Sequence, residues 1–156
     1  MNLTVDVQVA TDSDENPDAD SIRSWLTSAL GDRFEPNKIV EVCVRIVSAA
    51  ESQALNKQYR GKNSPTNVLS FPSELPADIP ERHLGDIVIC AARVKREAAE
   101  QGKEERAHWA HMVVHGALHL LGYDHINDDE AEIMEGLETS ILTGLLFPPP
   151  YQQQSQ

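Results

Sequence analysis

The sequence predicts a single α+β domain in which several helices pack on one mixed sheet of about four strands. Short runs rich in β-branched residues are concentrated early in the chain, and segments with helical spacing of apolar residues lie between them and dominate the end. The 156 residues suit one hydrophobic core, and no linker or internal repeat divides them. We therefore expect one domain over residues 1–147 and a disordered tail over 148–156, where consecutive prolines precede a glutamine-rich end.

Each expected element is recognised by its spacing of apolar residues. The strand segments have alternating apolar residues or many β-branched ones and lie at residues 3–9, 39–47, 68–71 and 85–90. The helical segments carry apolar residues on one face and lie at residues 20–30, 48–59, 92–101 and 104–121, followed by a last helix from 127 or 128. The prolines of residues 72–80 favour a connection over 73–84.

The helix boundaries rest on capping residues. Asp20 is expected to cap the first helix and Gly31 to end it. Ser48, with Glu51 three residues later, has the pattern of a capping box. Gly122 follows the longest helix and is expected to end it, because glycine readily adopts the left-handed conformation that turns the chain back.

The charge is unevenly distributed along the chain. The net charge is −12, which argues against broad binding to duplex nucleic acid, since phosphate contacts need Lys and Arg. Residues 1–35 carry 8 acids and 2 bases, and residues 124–156 carry 7 acids and no base. The middle of the chain, with 10 acids and 11 bases, is close to neutral and remains compatible with a local phosphate site.

The composition also bears on location. No apolar run approaches the roughly 18 residues that cross a bilayer, and the first residues lack the basic and apolar regions of a secretion signal. Cys43 and Cys90 lie in predicted strands, so two reduced buried thiols are expected rather than a disulfide. We therefore expect a cytoplasmic protein with no membrane partner.

Three histidines near the end of the longest helix form the motif with the clearest chemical meaning. His115 and His119 are four residues apart, which places them on one helix face. A turn at Gly122 can bring His125 back to the same point. Three neutral imidazoles bind zinc at about 2.0–2.1 Å and leave a fourth tetrahedral position open. The spacing predicts a catalytic zinc site at the end of this helix.

The remaining histidines offer alternatives. His108 and His111 lie near the same helical stripe, and His111 with His115 forms a competing pair of the same spacing. Only the pair nearest the glycine turn is easily joined by His125, so His108 and His111 are assigned to packing, to contacts behind the ligands or to the surface. His83, alone in a loop segment, is expected to be solvated.

The histidine spacing is similar to that of the metzincin zinc peptidases, in which a glutamate follows the first ligand and acts as general base. Here that position is Gly116, and a glycine cannot take a proton from water. The ligand pattern is therefore present without the base of a peptidase.

Four segments together resemble the bacterial YbeY family of endoribonucleases. They are residues 55–62 (LNKQYRGK), 65–72 (PTNVLSFP), 85–87 (GDI) and 115–125 (HGALHLLGYDH), which occur in the family's order and cover most of residues 50–140. The resemblance implies a zinc-dependent endoribonuclease, specific for single strands, that acts in maturation of the 3′ end of the small-subunit (16S) ribosomal RNA and in ribosome quality control. Ribosomal RNA and the small ribosomal subunit are the implied partners.

The resemblance also assigns residues. The ligands of one zinc ion map onto His115, His119 and His125, and the family's functionally important arginine maps onto Arg60. From the sequence alone, Arg60 is equally well explained as a phosphate ligand or as a surface residue at a helix end. Two positions where the family usually has aspartate hold asparagine instead, at residues 63 and 67.

Asp124 and Tyr123, inside the histidine motif, are open to two interpretations each. Asp124 could orient a ligand imidazole or could stabilise the turn, and Tyr123 favours a packing role over a catalytic one.

Two other functions remain open at this point. One is a zinc hydrolase of another class, such as a peptidase or amidase, whose base would come from outside the histidine motif. The other is a non-catalytic module that is stabilised by zinc and binds the ribosome during assembly.

Overall fold

A computed structural model describes residues 1–12, 16–31, 33–73 and 81–151. Within these ranges the chain forms four strands and five helices: β1 (Asn2–Ala10), α1 (Ala19–Leu30), β2 (Ile39–Val47), α2 (Ala49–Arg60), β3 (Val68–Pro72), β4 (Glu81–Cys90), α3 (Ala91–Gln101), α4 (Glu105–Leu120) and α5 (Asp128–Gly144). Among these helices, none has both the length and the apolar character needed to span a membrane.

The strands form one mixed sheet in the order β1-β2-β4-β3. β1 pairs with β2 and β2 with β4 in parallel, whereas β3 pairs with β4 in the antiparallel sense. The parallel pairs need crossovers, which α1 provides between β1 and β2, and α2 with β3 provides between β2 and β4. The predicted single α+β domain with one mixed sheet of four strands is confirmed.

The main core lies on the face of the sheet that α1 and α4 cover. Alternate residues of β2 between 40 and 46 are fully buried there, as the two-residue period of a strand requires. They pack with apolar side chains that include Leu26 of α1 and Leu118 of α4. A smaller cluster contains Val88 of β4 and is packed against Leu55 of α2. The sheet is thus covered over most of one face and locally on the other.

Two helix starts differ in detail from the predictions. Asp18, not Asp20, caps α1, and its carboxylate accepts a hydrogen bond of 2.8 Å from a backbone N–H of the first turn. Ser48 caps α2 as predicted, accepting from the backbone N–H of Glu51. The Glu51 carboxylate forms an ion pair with Arg45 of β2, at 2.6 Å and 3.0 Å, instead of the return bond of a capping box.

β4 begins at Glu81, inside the segment 73–84 that was predicted as a connection. The prediction was wrong for residues 81–84 because this part of the strand is mostly polar and carries no apolar alternation. Its register with β2 shifts where Leu84 is inserted as an extra residue. Residues 74–80 of the predicted connection lie outside the described residues.

Three single-residue predictions can be compared with the structure. Cys43 and Cys90 are free thiols as predicted, but only Cys90 is buried, whereas Cys43 is partly exposed. His83 is only about one-third exposed, because its imidazole lies 3.2 Å from Asp86 and 3.8 Å from Glu41. This histidine is therefore paired with carboxylates on the surface of the sheet and not fully solvated.

α4 is the central helix of the domain, in contact with the sheet, α1, α3 and α5. Gly116 makes its approach to the sheet possible. A Cβ atom at this position would lie 2.7 Å from Ile87 Cγ2, closer than side chains tolerate. The carbonyl of Gly116 also accepts a hydrogen bond of 3.1 Å from Ser70 Oγ of β3. The missing side chain at this position is therefore a packing requirement.

We expect Gly116→Ala to lower the free energy of unfolding by about 1–3 kcal/mol, since the added methyl overpacks a buried contact. This loss should exceed the gain of about 1 kcal/mol that alanine brings to a helix. Gly136→Ala in α5 is the matched control, because its Cβ would meet nothing within 4 Å, and it should be neutral or stabilising. Urea unfolding measures both changes, and a Gly116→Ala protein as stable as the wild type would contradict the packing argument.

The segment that follows α5 was predicted as a disordered tail over 148–156. Residues 152–156 lie outside the described residues, whereas 148–151 are described. The Pro150 carbonyl accepts a hydrogen bond of 2.6 Å from Lys103 Nζ, and the Tyr151 hydroxyl donates one of 3.1 Å to Glu138. Pro150 is buried. This part of the chain lies against the domain beside α4.

Candidate metal centre

The last two turns of α4 present two of the predicted ligands on one face. The Nε2 atoms of His115 and His119 lie 3.2 Å apart. The helix then ends in a Schellman motif, in which Tyr123 N–H donates to the Leu118 carbonyl and Gly122 N–H donates to the His119 carbonyl. Gly122 has φ +101°, a conformation that favours glycine. The chain is thereby turned back over the end of its own helix.

This turn brings His125 to the pair. Its ring centroid lies 5.5 Å from that of His115 and 5.1 Å from that of His119, and one nitrogen of each ring lies within 4.8 Å of the others. Two nitrogens of a tetrahedral zinc site are about 3.3 Å apart, given Zn–N bonds of about 2.0–2.1 Å. The separation of His115 and His119 matches this value, so these residues fit a zinc ion.

The environment of His119 favours a neutral ring with a free lone pair. Burial lowers the pKa of this imidazole most, and the neighbouring rings of His115 and His125 lower it further, to about 4. A metal ligand must be the unprotonated imidazole. The site therefore keeps His119 ready to bind a cation at neutral pH.

A polar cavity of about 500 Å³ opens beside the three histidines. Arg60 lines it from the C-terminal end of α2, where Gly61 in the left-handed conformation ends the helix. Asn67, which immediately precedes β3, and Ser70, within that strand, also line the cavity. The structure thus places the predicted arginine and the three predicted ligands around one cavity, although they come from distant parts of the chain.

Asp124 stabilises the turn and does not orient a ligand ring. Its carboxylate accepts a hydrogen bond of 2.8 Å from the backbone N–H of His125, whereas it lies 4.0 Å from the Nδ1 atom of that residue. Tyr123 lies under the guanidinium of Arg33, which is 5.0 Å from the ring centroid. Both residues are explained by local structure.

The two other histidines of α4 are buried and each faces a carboxylate. His108 Nε2 lies 2.9 Å from Glu97 of α3. His111 Nε2 forms a hydrogen bond with Glu138 of α5. His111, His115 and Glu138 are also close enough to share an ion, so the competing pair of the sequence has a geometric counterpart that shares one histidine with the first set.

Glu138 is a residue that the sequence analysis missed. Its side chain is only 1% exposed, yet it is an acid. Burial alone would raise the pKa of this carboxyl, but hydrogen bonds from His111 and His115 outweigh burial and lower it to about 2. One signal was present: Glu138 stands midway between the buried Met134 and Leu142, on the apolar stripe of α5.

Asn67 is tied to a second carboxylate. Its amide Nδ2 lies 3.1 Å and 3.3 Å from the two oxygens of Glu97, and its Oδ1 accepts a hydrogen bond of 2.7 Å from the N–H of Val68. Because a carboxylate can only accept hydrogen bonds, an amide is the matching partner here. This contact explains asparagine where the family usually has aspartate.

We therefore expect Asn67→Asp to lower the free energy of unfolding by about 1–3 kcal/mol at neutral pH, since it removes donors from a largely buried carboxylate and adds a like charge. The loss should shrink in acid, where protonation of one carboxyl removes the repulsion between the two. Asn63→Asp is the matched control, because Asn63 uses only its oxygen, as acceptor from Gln53 at 2.9 Å, and aspartate keeps that acceptor. Equal effects at the two sites in urea unfolding would refute this explanation.

Two comparisons with known proteins bear on the family and the fold of the chain. A family model described as Endoribonuclease YbeY matches residues 7–146 of the chain. A Thermotoga maritima protein known from a solution structure has the same fold, with a TM-score of 0.56 and 24% sequence identity over 94% of this chain and 99% of that protein.

Proposed function

Because the chain belongs to the YbeY family of endoribonucleases, we propose that it is a zinc-dependent endoribonuclease that cleaves single-stranded regions of ribosomal RNA. The observation that carries the proposal is the convergence of three imidazole nitrogens at a cavity that Arg60 also lines. The resemblance of the sequence to the family supports the finer assignment, which is maturation of the 3′ end of the 16S RNA on the small ribosomal subunit in the cytoplasm.

His115, His119 and His125 would hold one zinc ion per chain. When bound, zinc supplies Lewis acidity that polarises a phosphate oxygen and makes water a stronger acid. The chain holds its donors in place through the helix spacing of His115 and His119 and the Schellman turn before His125.

Arg60 binds the phosphate in this proposal. Its guanidinium presents a planar set of donors that matches two phosphate oxygens and is always protonated. It lines the cavity on the side of α2, while the histidines approach from α4. A phosphodiester lying in the cavity can then touch both groups, and the arginine neutralises the charge that develops on its oxygens.

The charge distribution favours a strand that enters locally over a duplex that lies across the surface. α5 follows the site directly and begins with Asp128, Asp129 and Glu130. Such a surface repels extended phosphate backbones. A single strand, in contrast, can place one phosphate in the cavity without laying a second backbone against the acidic helix.

The position of Gly116 disfavours a peptidase of the metzincin type, whereas a hydrolase whose base lies outside the histidine motif is tested by the experiment below. A side chain there would point at Ile87 in the core, with its Cβ only 2.7 Å from that residue. A general base at the metzincin position is therefore incompatible with this packing. The non-catalytic alternative makes the opposite prediction for RNA cleavage and is tested by the same experiment.

The test uses the purified wild-type protein with its metal content measured. A defined single-stranded RNA, the same RNA annealed to its complement and a panel of peptides are offered in parallel, before and after treatment with a chelator and readdition of Zn²⁺. We expect cleavage of the single strand only, lost with the chelator and restored by zinc. Cleavage of peptides but not RNA would favour the other hydrolase, and stable zinc binding without cleavage would favour the assembly module.

A further inference from the structure

A buried network lies behind the candidate metal site, on the opposite side of the His115 ring from His119. We propose that Glu138 is a positioning residue that holds His115 with its Nε2 atom towards the metal, and that Tyr151 completes the hydrogen bonding of that carboxylate. The inference rests on the zinc site of the proposed function.

The direction of each hydrogen bond follows from the chemistry of the carboxylate. An ionised carboxylate accepts and never donates. Glu138 Oε2 contacts both His111 Nε2 and His115 Nδ1, the latter at 3.3 Å, and Oε1 accepts from the Tyr151 hydroxyl at 3.1 Å. Both imidazole nitrogens must therefore carry a hydrogen where they face Glu138.

This requirement selects one tautomer of His115. A neutral imidazole with hydrogen on Nδ1 has its lone pair on Nε2. The Nε2 atom is the one that lies 3.2 Å from Nε2 of His119, at the candidate metal site. Glu138 thus fixes both the orientation of the ring and the nitrogen that is free to bind a cation.

The same reasoning decides between the two candidate ligand sets. His111, His115 and Glu138 lie close enough to share an ion. However, hydrogens on His111 Nε2 and His115 Nδ1 occupy the positions that a metal would need. These three residues then form a hydrogen-bonded support for the neighbouring site.

The segment after α5 belongs to this support. Tyr151 reaches Glu138 because the preceding carbonyl, of Pro150, is held by Lys103 Nζ at 2.6 Å. The Tyr151 ring also lies edge-on against His111, with centroids 5.3 Å apart. A residue from the predicted tail therefore donates to the second oxygen of a carboxylate that is 1% exposed.

The first measurement is the Zn²⁺ affinity of the full-length protein, by competition with a chromogenic chelator. Glu138→Gln keeps the size of the side chain, but its amide no longer requires both histidines to donate a hydrogen bond. We expect this variant to bind zinc about 10- to 100-fold more weakly. Tyr151→Phe should also weaken zinc binding, but by a smaller factor. Glu97→Gln is the matched control, since Glu97 also faces a buried histidine of α4, His108, at 2.9 Å without touching a ligand.

A loss of stability alone would affect both carboxylate variants, so thermal unfolding is measured beside the affinity. We expect Glu97→Gln to bind zinc within about threefold of the wild type, even where its melting temperature falls. Equal zinc affinities for Glu138→Gln and Glu97→Gln would overturn the proposal.

The second measurement needs no variant and therefore holds even if Glu138→Gln does not fold. Nitrogen-15 NMR of the metal-free wild type distinguishes the two neutral tautomers of each histidine. We expect hydrogen on Nδ1 for His115 and on Nε2 for His111. Hydrogen on Nε2 of neutral His115 would overturn the proposal directly.

These measurements contain no RNA, so they separate this inference from the proposed function. A wild type that binds zinc and cleaves RNA, with Glu138→Gln unchanged in affinity, would refute the role of Glu138 alone. A wild type that binds zinc and leaves RNA intact, with Glu138→Gln weakened, would refute the ribonuclease alone. A wild type that binds no zinc would refute both.

Discussion

Replacement of His119 by alanine is expected to abolish stoichiometric zinc binding and to lower the cleavage of single-stranded RNA by about 10³-fold or more, the effect of losing several kcal/mol of transition-state stabilisation. His119 is the central member of the set, because its Nε2 lies 3.2 Å from that of His115 and its ring lies 5.1 Å from that of His125. Two remaining imidazoles hold zinc far less tightly than three.

The control for this prediction is His83→Ala. His83 lies on β4, about one-third exposed and paired with Asp86, and does not line the cavity that holds the three histidines. Both variants lose one imidazole, so a difference between them reflects the position of the histidine and not the loss of a histidine as such. Metal content and initial cleavage rates are measured for both proteins, with circular dichroism to establish that they fold. If the His119→Ala protein retained wild-type zinc content or wild-type cleavage, the proposed mechanism would have no basis.

The part of the site that could be predicted from sequence depends on local geometry. His115 and His119 share a helix face wherever the helix forms, and a glycine three residues after His119 allows the Schellman turn that returns His125. The positions of these residues follow from eleven consecutive residues, 115–125. The strand at 39–47 was equally clear, because most of its residues are β-branched.

The remainder of the site depends on contacts between distant segments. Glu138 reaches His115 across 23 residues of sequence, and Tyr151 reaches Glu138 only because the chain after α5 folds back beside α4. No local periodicity encodes such a contact. The start of β4 was missed for a related reason: pairing with β2 stabilises residues 81–84, although their own sequence is typical of a loop.

Arg60 is a different case, because the sequence alone explained it equally well as a surface residue or as a phosphate ligand. The structure places it at the cavity of the three histidines. A cation at this place stabilises the transition state more than the bound substrate, because negative charge builds up on the phosphate oxygens during the reaction. The arginine should therefore act on the rate of cleavage and leave the affinity for zinc unchanged.

Accordingly, Arg60→Ala is expected to lower the rate of RNA cleavage at saturating substrate by about 10²- to 10³-fold, with zinc content as in the wild type. Lys57→Ala is the matched control. Lys57 lies one turn earlier on α2 and does not line the cavity, and its replacement by alanine removes the same charge. A general loss of positive charge weakens RNA binding in both variants and fades at high salt, whereas a specific contact to the reacting phosphate persists. Arg60→Lys, which keeps the charge but loses the planar donor set, should recover only part of the rate. If Arg60→Ala and Lys57→Ala prove equally active across a range of salt concentrations, Arg60 is an ordinary surface residue, and the phosphate must be bound by other groups that line the cavity.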